Sequence, residues 1–362
     1  MRSDTTLHPS QEEFSKLPAW AGKAGGASDV VISTRARLAR NLAGYPFPGR
    51  AGEQDLAAVS QLVLRAARHP EKSAPALRPI DVSALGEPDK ASLIDSHLIS
   101  LQLATAGFHR WVLFDNRHAA SVMVNEEDHL RIQAILPGLQ LDAAWRLADR
   151  IDAFFGDQLQ YTADSEYGYL TASLGNCGTG LRASVMVHLP GLAWLNKLPE
   201  VLGAVRSLGT SVRGLYGEDG GAAGDVYQLS NAVSLGLNPR QIIARLAAVT
   251  TYLITEEQAI TERLSRYAKG VIGTRVAEAA ATLSKAEQLC GTEAMALLSI
   301  LRLGERVGLP TGIDSAAFSE LLVSMRIGAQ YLSGNKARYT FFEETRRPAL
   351  IRNKIREQQR SG

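Results

Sequence analysis

Seven consecutive residues, Asn125, Glu126, Glu127, Asp128, His129, Leu130 and Arg131, gather three carboxylates, an imidazole and a guanidinium group. An alternating apolar run over residues 119–124 leads into them and residues 132–136 follow, so the acids interrupt what otherwise reads as strand. Taken alone, such a triplet reads first as a solvated turn between two strands. Other segments bear on the choice. Arg35 and Arg37 lie two apart in a β-branched stretch that starts at Asp29, and alternate residues of a strand share a face. They form an anion clamp or two solvated arginines at a sheet edge. Arg182 opens another alternating run after Gly175, Gly178 and Gly180, glycines that let a backbone approach a ligand closely. Arg213 precedes a further acid, Glu218.

Arg35, Arg37, Arg131, Arg182 and Arg213 could share one small volume only around an anion of high charge. A triphosphate with a divalent ion would supply it, and arginines around a transferring phosphoryl group stabilise its transition state. Glu127 and Glu218 would then face a cationic acceptor. Neither common phosphate cradle is present: the glycines do not form G-x-G-x-x-G, there is no G-x-x-x-x-G-K-[ST] loop, and the catalytic set of the protein kinases is missing.

The elements that must position these groups follow from periodicity. Residues 56–67 and 141–155 carry the helical period, residues 92–103 read as a short helix or turn bearing His97, and residues 110–115 and 119–124 read as strands. The glycine-rich run at 220–224 reads as a loop able to close over a substrate, or as a long hairpin. From Pro239 onward the pattern is helical, and a boundary is placed near Thr255. The expected division is a flexible lead-in at residues 1–28, a catalytic domain at 29–255, a helical C-terminal domain at 256–357 and a tail at 358–362.

Length and composition bound the rest. At 362 residues, 45% of them hydrophobic, the chain has material for two domains. A net charge of +2 argues against a general binder of nucleic acid or membrane surfaces. Nine of the 39 basic residues are lysines, an arginine bias that fits phosphate recognition and equally a GC-rich genome. Cys177 and Cys290 are too few for a disulfide framework or a metal cage, so no metal site built from side chains is expected. With no apolar signal core and no run of 18 apolar residues, the expected compartment is the cytoplasm.

Several motifs occur in the order and spacing of one known superfamily: STRAR at residues 33–37 followed by LARN, HLIS from His97, NEEDHLRIQ, GYLT with GTGLRASVM, and RGLYGE at 213–218 with Ser230 and Asn231. The chain resembles the phosphagen kinases, and most closely the bacterial protein-arginine kinases of McsB type, over roughly residues 17–357. The resemblance implies an α+β fold, an antiparallel sheet flanked by helices followed by a helical C-terminal domain that mediates homodimerisation. It implies binding of ATP, with Mg²⁺ carried on the nucleotide, by Ser33, Thr34, Arg35, Ala36, Arg37, His97, Arg131, by Arg182, Ala183, Ser184, Val185 and Met186, and by Arg213, Gly214, Leu215, Tyr216, Gly217 and Glu218. It implies catalytic roles for Arg131, Arg182 and Arg213, and a grip on the acceptor guanidinium by Glu127 and Glu218. Arginine-containing proteins would be the substrates, with a Clp unfoldase and a zinc-binding activator as partners.

Two positions depart from the family. Ser173 stands where phosphagen kinases carry a reactive cysteine, and Cys177 nearby is a compensating thiol or a small loop filler. At the C-terminus, Glu343, Glu344, Thr345, Arg346, Arg347 and Pro348 replace the RDxxRA phosphoarginine-reading motif, so Arg347 alone survives and regulation by phosphoarginine is expected to be weak or absent. Rival readings keep the chemistry with a free guanidino compound, or keep binding without turnover, as in an adaptor.

Overall fold

The β-branched segment after Asp29 forms strand β1 (Val31–Arg40), the centre of the sheet. Helix α1 (Glu53–Ala67), β2 (Arg78–Asp81), α2 (Glu87–Asp95), α3 (Leu101–Thr105), β3 (Trp111–Phe114), β4 (Ala120–Val124), β5 (Leu130–Pro137) and α4 (Leu141–Gly156) follow. Next come the two-residue strands β6 (Ala163–Asp164) and β7 (Gly168–Tyr169), then β8 (Leu181–His188), α5 (Pro190–Trp194), α6 (Leu198–Ser207), β9 (Thr210–Tyr216) and β10 (Ala222–Asn231). The helical remainder comprises α7 (Pro239–Tyr267), α8 (Lys269–Lys285), α9 (Gly291–Arg306), α10 (Ser315–Ser324) and α11 (Lys336–Ser361). This computed structural model describes residues 16–22, 25–68, 75–216, 222–325 and 336–361, leaving aside the side chains of Tyr216, 336–341 and 361.

Eight strands pair antiparallel in the order β2-β3-β4-β5-β1-β8-β10-β9. Strand alternation gives the two faces different chemistry. One presents Ala36, Leu38, Val122, Ile132, Ala134, Leu181, Ala183 and Val185 to a core completed by Ala144, Ala148, Ile151 and Phe155 of α4 and by Ile242, Leu246, Val249 and Leu253 of α7. Each larger side chain so buried contributes about 1.5–3 kcal/mol. The other face carries the arginines.

Part of that second face is covered. Ile135, Met186 and Val226 pack with Met295 and Leu298 of α9, Phe318 of α10 and Ile351 of α11, so the helical C-terminal part rests on the sheet itself. The start of α7 is written locally: the Asn238 side chain accepts from Gln241 N (2.9 Å), Gln241 Oε1 accepts from Asn238 N (2.9 Å), and Pro239 occupies the first turn. The boundary placed near Thr255 falls inside this helix, whose buried side runs through Ile260 and Leu264 against the same core.

The lead-in differs from its expected flexibility where it is described. Trp20 is 1% exposed, its Nε1 donating to Ser96 O (3.1 Å), because one large apolar ring gains more from a core than its polar neighbours lose. Residues 1–15, 23 and 24 lie outside the described part, as do Gly217 and Glu218 and the start of the expected closing loop; that glycine-rich stretch enters β10 at Ala222. No helix among the described residues is long and apolar enough to cross a membrane.

Candidate active site

Register alone assembles the cationic face. Arg37 pairs with Gln133 of β5 and Arg182 of β8, Arg35 with Ser184, and Ala39 with Arg131. Ser184 in turn faces Ser230, and Gln228 faces Arg213 of β9. Counting by twos along each strand puts Arg35, Arg37, Arg131, Arg182 and Arg213 on one side of five adjacent strands. The same count turns Ala36, Ala183 and Val185 into the helix-covered core, while Thr34 donates to Gly138 O (2.6 Å) and accepts from Gln140 N. Of these expected nucleotide contacts, Thr34, Ala36, Ala183 and Val185 therefore have side chains that face away from the arginines. Ser33 is buried and Met186 joins the core shared with the C-terminal helices.

Few partners neutralise the cluster. Arg35 donates to Gln228 Oε1 (3.1 Å) and, at 3.4 Å, to Ser184 Oγ; Arg182 donates to Ser230 Oγ (3.3 Å). Nε of Arg37 and Nε of Arg182 are buried with no hydrogen-bond partner. Burial, then the charges of Arg131 and Arg182, pushes Arg35 down to about 9, and burial followed by Arg35, Arg131 and Arg182 drives Arg37 well below the usual guanidinium range. Arg182 is lowered by burial and by Arg213 and Arg131, with Glu127 opposing. Guanidinium groups do not give up protons in proteins, so these shifts measure crowding that an anion would relieve.

Two cavities lie on this face. One of about 230 Å³ has Ile94, Ile99, Leu101, Met123 and Leu215 as apolar walls and Arg35, His97, Arg131 and Gln133 at its polar end. His97 (φ 60°) packs on Trp20 with ring centroids 5.0 Å apart, and burial followed by Arg35 and Arg37 pushes its imidazole down to about 3, so it is neutral. The second, about 90 Å³, is lined by Arg37, Arg131, Arg182, Glu127, Asp128, Ser173, Asn176 and Gly180. Gly180 (φ 68°) is required there: a Cβ would stand 2.2 Å from Arg40 Nη1 and 2.7 Å from Ala39 O.

The acidic turn between β4 and β5 is a rigid piece with divided tasks. Asn125 sits at φ 59°, its amide donating to Leu56 O and His109 O (2.9 Å each). Glu126 is only 4% exposed; it accepts from Ser100 Oγ (2.5 Å), Glu127 N (2.8 Å) and Arg131. Burial alone would raise its carboxyl, but Arg131 and these hydrogen bonds bring it below the ordinary value. Asp128 accepts from Asn41 Nδ2 (2.6 Å) and Ala172 N (2.7 Å), tying the turn to the loop that carries Ser173. His129 Nδ1 accepts from Leu42 N (3.0 Å), which leaves Nε2 to donate to Pro46 O (3.0 Å). Glu127 alone is left open. Burial, then the charges of Asp128 and Glu126, raises its carboxyl, as suits a proton acceptor.

Glu127 also lines a third cavity, an outer vestibule of about 800 Å³ walled by Tyr45, Phe47, Arg50, Gln102, Arg110, Glu126 and Thr171. It thus stands between the arginine-lined pocket and the open approach. Arg213 is exposed at the end of the array, and Glu218, the second expected acid, lies outside the described residues. Cys177 Sγ turns into its own loop, toward Thr171 Oγ1 (3.4 Å) and the carbonyls of Thr171 and Ser173. Arg347 is 1% exposed and donates to Met325 O (2.9 Å) and Leu289 O (3.3 Å), binding α11 to its neighbours. Gln228 and Ser100 were not legible as site residues; only the β10 register and the fold of the 92–103 segment bring them in.

Known proteins resemble this chain in sequence and fold. The family profile described as ATP:guanido phosphotransferase, C-terminal catalytic domain, matches residues 58–260, and that of the protein-arginine kinase McsB C-terminal domain matches 270–362. A protein-arginine kinase of Halothermothrix orenii is 38% identical over 340 residues, covering 94% of this chain and 97% of its own. One from Pelotomaculum thermopropionicum is 41% identical over 310 residues, covering 85% and 87%. Among solved structures, a lombricine kinase superimposes with a TM-score of 0.58 at 26% identity over 68% of this chain and 72% of its own. The duplicated taurocyamine kinase of Schistosoma mansoni, holding transition-state analogue components, gives 0.59 at 25% over 72% and 37%.

Proposed function

The chain belongs to the ATP:guanido phosphotransferase family, and on that premise we propose that it is a protein-arginine kinase, transferring the γ-phosphoryl group of ATP to arginine side chains of proteins. The observation that carries this reading is the position of Glu127, shared by the arginine-lined pocket and by a vestibule wide enough for a protein side chain.

In this reading the apolar cavity beside His97 takes the nucleoside end of ATP and the five arginines take its phosphates. Mg²⁺ would arrive on the phosphates of the nucleotide, where it would neutralise charge on the transferring group. An arginine side chain enters through the vestibule. At pH 7 only about one guanidinium in a million is neutral, given a pKa of about 12.5–13.8, so a carboxylate does not deprotonate it beforehand. Glu127, with Glu218 as its proposed companion, orients the group instead. As a guanidino nitrogen bonds to γ-phosphorus, the bond from phosphorus to the β,γ-bridging oxygen breaks, ADP departs and the nitrogen's proton passes to Glu127. Arg131, Arg182 and Arg213 hold the phosphoryl oxygens in line.

Ser173 lines the pocket but offers no anionic form near neutral pH, so any help from a thiolate at that place is missing. Arg347, engaged with two backbone carbonyls inside the C-terminal part, is poorly placed to read phosphoarginine. Homodimerisation through the C-terminal helices, a cytoplasmic location, and cooperation with a Clp unfoldase and a zinc-binding activator complete the proposal. Incubation of the protein with ATP, Mg²⁺ and an unfolded protein should add acid-labile phosphoryl groups to arginines, detected by intact mass, and Glu127→Gln should abolish the gain. Label on free arginine but on no protein would refute the protein-directed reading, and nucleotide binding without any turnover would leave an adaptor.

A further inference from the structure

The vestibule holds a cation that the phosphoryl-transfer scheme does not use. Arg110, at the entry to β3, lines the 800 Å³ space beside Glu126 and Glu127, and its Nε and Nη1 are buried with no hydrogen-bond partner. Its neighbour Glu126 attracts it through charge, but the hydrogen bonds of that carboxylate go to Ser100, Arg131 and Glu127 N. Arg50 adds a second, exposed cation to the lining, in the turn that carries Phe47.

The aromatic part of the lining is held in place. Tyr45 and Phe47 each meet the His129 ring edge-on, with centroids 6.4 and 6.5 Å away, and His129 donates to Pro46 O between them. An entering guanidinium satisfies Glu127. Arg110 Nε and Nη1 then still lack a hydrogen-bond partner, and a buried guanidinium donor without one is costly.

We infer that the vestibule reads the residues flanking the target arginine, with Arg110 binding a carboxylate of the substrate polypeptide and so favouring arginines that have Asp or Glu close by in sequence. This rests on the protein-directed function proposed above. Residues two apart in an extended peptide project to the same side at about 7 Å, so the selected acid lies within about two positions of the arginine. The forked guanidinium suits a carboxylate better than an ammonium would. Arg50, exposed at the rim, adds a weaker, salt-screened attraction.

The test uses the full-length protein and peptide pairs that differ only in Glu against Gln beside one arginine. Wild type is expected to favour the acidic peptide by roughly tenfold in kcat/KM, mostly through KM, the scale of one charge-assisted hydrogen bond. Arg110→Gln should erase the preference while turning over the neutral peptide within about twofold of wild type, and Arg110→Lys should restore part of it. Equal rates on the two peptides, or a preference that survives Arg110→Gln, would overturn the inference while leaving protein-arginine phosphorylation intact. If Arg110→Gln instead raises KM for free arginine and the peptides show no preference, the carboxylate is that of an amino acid and the peptide assignment falls. Label on free arginine with none on either peptide would overturn the underlying function as well.

Discussion

Replacing Arg37 by glutamine should stabilise the nucleotide-free protein and disable it as an enzyme. Arg37 faces Arg182 across β8, has Arg35 two residues away on its own strand, and feels Arg131 as well. Guanidinium centres about 7 Å apart at an effective dielectric of about 20 repel by about 2 kcal/mol per pair. Solvent reaching this half-buried side chain, and the attraction of Glu126, cut the sum to roughly 2–3 kcal/mol. Losing the aliphatic stem costs about 1 kcal/mol, so the net gain is about 1–2 kcal/mol, a rise in Tm of about 1–3 °C. With nucleotide the order reverses. A ligand at about a hundred times its Kd stabilises wild type by about 2.7 kcal/mol, and a variant lacking the central phosphate-facing arginine should show little of that shift. Its kcat/KM should fall about 10²–10³-fold, as when an oxyanion-binding donor is removed. Melting curves with and without Mg²⁺ and ADP, together with initial rates, read all three quantities. A variant that melts lower than wild type without nucleotide, yet keeps the nucleotide shift, would refute the idea that the cluster is held crowded for an anion.

The remaining predictions concern single groups. Because Glu127 has its carboxyl raised in the folded protein, its ionised form opposes folding: stability is fully present below the ordinary carboxylate pKa and declines as pH rises through the raised value. Glu127→Gln should therefore melt higher than wild type at pH 7 and match it under acid conditions, while kcat/KM of wild type falls as pH drops through that same raised pKa; a variant that melts lower at pH 7 would contradict this. Ser173→Cys places a thiol among Arg37, Arg131 and Arg182, so it should alkylate with an apparent pKa below about 8.5 and raise kcat, whereas an ordinary alkylation profile would mean the arginine field does not reach position 173. Asp128→Ala frees Asn41 Nδ2 and Ala172 N, and should cost about 2–3 kcal/mol in urea unfolding and raise proteolysis of the loop around Ser173; an unchanged midpoint would count against the tie. Glu257, fully buried, accepts from Gly191 N (2.8 Å), Leu192 N (2.9 Å) and Arg306 (2.8 Å), so Glu257→Ala should destabilise by about 3–5 kcal/mol, and a loss under 1 kcal/mol would show the pair to be dispensable.

Local rules accounted for much of this protein. The helical period located α1 and α4, the helical pattern from Pro239 onward located the start of α7, and the β-branched run after Asp29 with its two arginines located β1 and the face that carries them. Those features depend on neighbours a few residues away, so reading along the chain is enough to find them. Trp20 escaped because nothing near it in sequence shows that Ser96 and His97 wait on another element.

What the chain order could not state is register and competition for partners. STRAR announces two arginines on one face, but only the pairing of Arg37 with Arg182, and of Gln228 with Arg213, brings β8 and β9 into line with β1; a slip of one residue would send those side chains into the apolar core. By residue type alone the acidic triplet likewise reads as three equivalent carboxylates, and it was the resemblance that singled out Glu127. Folding distinguishes them, because Ser100 and Arg131 claim Glu126 while Asn41 and Ala172 claim Asp128, and these donors come from remote parts of the chain. Residue type and spacing determined which chemistry was available; long-range pairing decided that Glu127, the one acid of the triplet with no donor of its own, would be left open for the role proposed for it.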